Sequence, residues 1–323
     1  MHVRLAVPLF ALATLAVAPV RAQTMADARS CERAITGSAV DRAAMQKLYA
    51  SGRTTPAGHF AAGCADVLAS RWDSAAAHFD AAAKGNPSSS AAFLWIGNIA
   101  GQRARMAPLA ARLKLAPMIR DAYAKAIELD GTNIDAREGL MQFQLEAPST
   151  IGGDKAKAAE QALAIGRLVP YRGLAAEIAV ATAARNQPAA ERLLLRATTQ
   201  FPDSVLGWAN LSAMQADGQR APDAFATVTR WQARGTNRMF ALFALGRTAA
   251  VTGQQRERGE QALRQYLRGQ RSPSDPPFAN AHHRLGMIFE RAGRKDDARV
   301  EFQAALRLSP QMRDAQFALD RLK

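Results

Sequence analysis

The sequence predicts an all-α fold, a right-handed α-solenoid of about seven stacked helix pairs. Composition is the first reason. Alanine dominates, aromatics are 7% of the chain, and long β-branched runs are absent. Alanine has the best helix propensity and lets helices approach closely, whereas sheet needs branched and aromatic residues. Recurrence is the second reason: small or apolar positions return every 34 residues, as at Gly63 and Gly97, and at Ile178, Ser212 and Gly246. The third is the spacing of apolar residues within each period, which marks two amphipathic helices per unit.

The clearest unit is AHHRLGMIFERAGRKDDARVEFQAALRLSP. Leu285, Gly286 and Phe289 share one helical face, Ala298, Phe302 and Ala305 share a second, and Pro310 closes the unit. Upstream, Gly63, Ala75, Phe79, Ala82 and Pro87 repeat the frame. Gly97, Tyr123, Ala126 and Gly131 form the next unit, with an insertion of about ten residues, and Phe143, Ala158, Ala162 and Pro170 the third, with about six. Ile178, Ala190, Leu194 and Pro202 mark the fourth, Trp208, Leu211, Ala224 and Val228 the fifth, and Gly246, Ala262 and Tyr266 the sixth. The small residues admit a neighbouring helix and the aromatics fill the space between helices. One pair alone cannot bury its apolar face, so stacking is obligatory and is expected to build a superhelix.

This pattern resembles the tetratricopeptide repeat over residues 56–310, with Leu-Gly, aromatic, Ala, Phe, Ala and Pro in order. The resemblance implies a helix–turn–helix solenoid whose first helices line a peptide-binding groove. Pro148, Gly152, Gly153 and Lys155 form a loop similar to one in a group of exported bacterial members of the family. The stretch lacks the preceding strand and the Gly-Lys-Ser/Thr of a phosphate loop. A turn between helices, with Asp154 capping the second, is the expectation.

The ends are expected to be capped. Residues 311–323 read as a C-terminal capping helix, and residues 23–55 as two helices covering the first repeat, 24–36 and 39–51, with Ser38 and Asp41 resembling a capping box. Residues 1–22 have a basic start, an apolar run and small residues at Val20 and Ala22, the pattern of a signal peptide cut after Ala22. A periplasmic or secreted chain is the expectation. The two cysteines, Cys31 and Cys64, would then form a disulfide that staples the cap. Two buried thiols are the alternative.

Chemistry-bearing patterns are few. Adjacent His282 and His283 point about 100° apart on a helix, so they make a poor metal site. No hydrolase or metalloprotease motif occurs, and neither a cofactor, a metal nor enzymatic activity is expected. The repeat frame places Asn98, Arg137, Gln144, Arg172, Arg247 and His283 as polar groove positions, beside apolar Phe60, Met141, Phe240, Phe243 and Met287. Leu94 stands one turn before Asn98, where the carboxylate clamp of chaperone-tail binders has lysine, so the resemblance does not imply that ligand.

The formal charge is +14, and the 40 residues from Ala81 to Arg120 contain no acid, with Arg103, Arg105, Arg112 and Lys114 forming a basic patch. No nucleic-acid-binding motif accompanies this charge. The function expected is an exported, non-catalytic scaffold that holds a partner protein or peptide in the groove. The second reading is binding of an anionic envelope polymer or membrane surface through the arginine-rich face.

Overall fold

The computed structural model of the chain describes residues 31–34, 37, 39–52 and 54–322. The expected signal peptide and Ser38 of the expected capping box lie outside them. Among the described residues there is no strand. Helix packing divides the chain after Leu168 into two units.

The first unit begins with a helical stretch at 31–34 and α1 (Ala39–Ser51). Three pairs follow: α2 (Pro56–Leu68) with α3 (Trp72–Gly85), α4 (Ser90–Met106) with α5 (Leu109–Leu129), and α6 (Ile134–Glu146) with α7 (Lys155–Leu168). The second unit holds four: α8 (Pro170–Ala183) with α9 (Gln187–Gln200), α10 (Val205–Asp217) with α11 (Ala221–Arg234), α12 (Arg238–Thr252) with α13 (Arg256–Arg268), and α14 (Phe278–Arg291) with α15 (Lys295–Leu308). α16 (Arg313–Arg321) packs on α15 and buries Ala315 and Ala318. These are the seven pairs of the sequence frame.

Within a pair, glycine on the first helix receives an aromatic ring from the second. A methyl group at Gly63 would lie 2.8 Å from the Phe79 ring, and one at Gly286 would lie 2.6 Å from the Phe302 ring. Both distances are shorter than carbon atoms tolerate, so glycine is what allows the helices to close. Phe79 and Phe302 are fully buried as a result.

Four of the turns inside pairs share a second device. Ser70, Arg185, Gln219 and Gly293 have φ of 57°, 56°, 58° and 76°. The next amide in each case bonds back to a carbonyl five residues earlier, as in Arg220 N–H to Gln215 O at 2.8 Å and Arg294 N–H to Phe289 O at 2.9 Å. This is the left-handed helix termination that normally uses glycine. Only the last of the four has it. An L side chain in this conformation costs roughly 1–2 kcal/mol, partly offset by the entropy glycine adds to the unfolded chain. Gln219→Gly is therefore expected to raise stability by about 0.5–1 kcal/mol, read as a higher midpoint in chemical denaturation.

Polar contacts secure the remaining junctions. In the first unit the buried Asn133 side chain accepts from Ala136 N–H at 3.0 Å and donates to Ser90 Oγ at 2.8 Å. Ser90 Oγ donates to Ala126 O at 2.8 Å. One side chain thus caps α6 and ties it to α4 and α5.

The stretch from Ala147 to Ala158 is a turn. Asp154 N–H donates to Gln144 O at 2.8 Å, and its carboxylate accepts from Ala156 and Lys157 N–H at 2.9 and 3.1 Å. A carboxylate seated on these amides occupies the place a phosphate would need. Gly152 has φ of 107°, and a side chain at Gly153 would collide with Ala147 O.

Cys31 and Cys64 form a disulfide, with their Cα atoms 5.6 Å apart, and both residues are fully buried. The bridge joins the helical residues 31–34 to α2. Asp41 is paired with Arg33, whose Nε and Nη2 each donate to it at 2.9 Å.

Candidate functional site

In the second unit the first helices of successive pairs lie side by side, α10 against α12 and α12 against α14. Phe240, Phe243 and Arg247 recur three and four residues apart on α12, which puts them along one helical face. Phe243 is buried in the core, whereas Phe240 and Met287 pack against that core and stay partly exposed.

Two guanidinium groups stand among them. Arg247 Nη2 binds both carboxylate oxygens of Asp217, at 3.0 and 2.8 Å. Arg247 Nη1 is buried and has no hydrogen-bond partner. Arg284, on α14, forms no ion pair among the described residues; its Nη1 lies 3.2 Å from Met287 Sδ, a weak acceptor. Burial holds the Arg284 pKa below its ordinary value, with the nearby charge of Arg247 adding to the effect and Asp217 and Asp314 opposing it. Arginine stays charged even so. The face therefore presents two closely placed cations and adjoining apolar surface.

A tetratricopeptide repeat family model matches residues 279–312, which contain most of α14 and all of α15. A tetratricopeptide repeat protein from Parabacteroides merdae aligns with a TM-score of 0.54 at 14% identity, over 80% of this chain and 95% of that one. Yeast Tom70 aligns with a TM-score of 0.61 at 12% identity, over 98% of this chain and 66% of that one. The chain has the tetratricopeptide-repeat fold. No curated protein sequence matches it.

In tetratricopeptide solenoids the groove is lined by first helices, and several expected groove positions here are instead used internally. Asn98 Oδ1 accepts a 2.8 Å bond from Tyr123 OH, a phenol whose pKa is pushed up to about 12 by burial. Arg137 donates from Nε and Nη2 to Gly131 O at 3.1 and 2.9 Å, and from Nη1 to Gln161 Oε1 at 3.0 Å. His283 is buried against the Phe302 ring, 5.7 Å between centroids, rather than open to a groove. Burial first and Arg284 second hold its pKa below the usual histidine value. Phe60 and Met141 are likewise core residues.

Gln144 is buried with Oε1 lacking a partner, and Arg172 is partly buried on α8. Arg284 is absent from the sequence-derived set. The repeat frame points to its neighbour His283, yet a one-residue step turns a helix by about 100°.

The basic patch is only partly free. Arg103 pairs with Asp73 at 3.1 Å, Arg105 bonds Gln102, and Arg112 Nε donates to Ala107 O at 2.7 Å. His59 and His78 meet with their Nδ1 atoms 3.2 Å apart, and His282 bonds Glu301 at 2.6 Å. No group of three His, Cys, Asp or Glu suited to a metal occurs among the described residues.

Proposed function

We propose that the chain is an exported, non-catalytic scaffold that holds a segment of a partner protein against the first helices of its second unit. The tetratricopeptide fold supports a protein-interaction role in general. The observation that carries the specific reading is Arg284, a cation without an ion pair among the described residues, beside the charge of Arg247. A largely desolvated charge without a counter-charge is costly. A carboxylate from a partner would neutralise it, while Phe240 and Met287 offer apolar contact to the same segment. The signal-like residues 1–22 and the Cys31–Cys64 pairing support export to an oxidising compartment.

Selection of random peptides displayed against the full mature chain tests this. Enriched peptides are expected to combine an acidic residue with apolar neighbours. Arg284→Met should weaken them about tenfold or more, the scale of one charge-assisted contact. The same variant should melt at an equal or higher temperature, because it removes a buried cation that has no ion pair. Enrichment without acidic residues, or equal binding by Arg284→Met, would refute the reading.

A further inference from the structure

The second helix pair of the first unit is longer than the pair before it. α4 runs nine residues beyond Gly97, where α2 runs five beyond Gly63, and α5 begins 14 residues before Tyr123, where α3 begins seven before Phe79. The four and seven extra residues therefore lie where α4 turns into α5. At 1.5 Å per helical residue the turn projects about 6–10 Å farther than its counterpart in the preceding pair.

What the extension displays is unusual. Met106 and Leu109 are 67% and 69% exposed, and Leu113 is 45% exposed. Leu109 and Leu113 are one turn apart on α5, and Met106 ends α4 across a two-residue link. The cations beside them are not neutralised. Among the described residues Arg105 bonds only the uncharged Gln102, Arg112 only a backbone carbonyl, and exposed Lys114 has no ion pair. The nearest basic neighbour, Arg103, is the one that has a carboxylate.

We propose that the α4–α5 tip docks on an anionic lipid bilayer. Met106, Leu109 and Leu113 enter the headgroup boundary, and Arg105, Arg112 and Lys114 meet lipid phosphates. Apolar side chains projecting from a cationic collar fit this interface, where buried apolar area and attraction to anionic lipid act together. A soluble polyanion would engage the cations and leave the leucines in water. No described helix is long and apolar enough to cross a membrane, so the contact is peripheral. It shares no residue with the peptide face on α12 and α14.

Co-sedimentation of the full mature chain with vesicles decides the matter, using phosphatidylcholine alone and phosphatidylcholine mixed with phosphatidylglycerol. Binding is expected only to the mixed vesicles and should weaken as salt rises. Two double variants, Leu109→Ser with Leu113→Ser and Arg112→Gln with Lys114→Gln, should each weaken it about tenfold. All four positions are exposed, so thermal unfolding should match the wild type and certify the fold. Undiminished vesicle binding by the serine variant would overturn the proposal. So would absent wild-type vesicle binding, including the case where the chain binds a soluble anionic glycan instead.

Discussion

Phe302→Ala is expected to destabilise the α14–α16 region by about 3–5 kcal/mol, the range for emptying a buried phenylalanine site. The site has little means to collapse. The ring fills the space left by Gly286, and its other neighbours include the His283 ring and the core formed with Leu285 and Phe289. In a solenoid, pairs depend on their nearest neighbours, so the loss should be greatest at the C-terminal end. Denaturant unfolding combined with amide exchange on α14, α15 and α16 measures it. A loss below about 1 kcal/mol, as for a typical surface site, would mean that the ring is not the knob that joins the pair.

The second large effect belongs to the disulfide. Cys31 and Cys64 are 33 residues apart, and closing a loop of that size restricts the unfolded chain by about 3–4 kcal/mol in the entropic description. Cys31→Ser with Cys64→Ser should therefore lower the stability of the N-terminal end by this order. Both sulfurs are buried, so the added hydroxyls deepen the loss. The expected pattern is early exchange in α1 and α2, with α12 to α14 unchanged. Uniform protection in the variant and the wild type would show that the bridge does not hold the end in place.

The fold was legible because its determinants are local and repeated. Gly63 with Phe79, and Gly286 with Phe302, are each 16 residues apart, and that interval follows from the geometry of one helical hairpin. Gly139 also approaches the Tyr123 ring, but from the following pair: it lies six residues past the Asn133 cap, where Gly97 lies eight past Ser89, so the 16-residue interval does not mark it. The left-handed turn residues were hidden for a different reason. Ser70, Arg185 and Gln219 adopt a conformation their side chains do not favour, which tertiary packing imposes.

The binding face was less legible. Helical period tells which way a side chain leaves its helix, but not whether a neighbour in the same fold takes it up. Asn98 is taken by Tyr123, Arg137 by the Gly131 carbonyl, and His283 by the core around Phe302. Arg247 stays on the face, but Asp217 takes its Nη2 and its Nη1 is buried, so its contribution is its charge. Arg284 became visible only when burial and the absence of an ion pair could be read together.

The central claim is that a partner segment lies on α12 and α14, with a carboxylate at Arg247 and Arg284. Amide exchange of the full chain, with and without a saturating acidic peptide from the selection, tests it most directly. The account predicts added protection concentrated on α12 and α14, abolished in Arg284→Met at the same peptide concentration. Protection centred on α11, α13 or α15, or on any helix of the first unit, would contradict it.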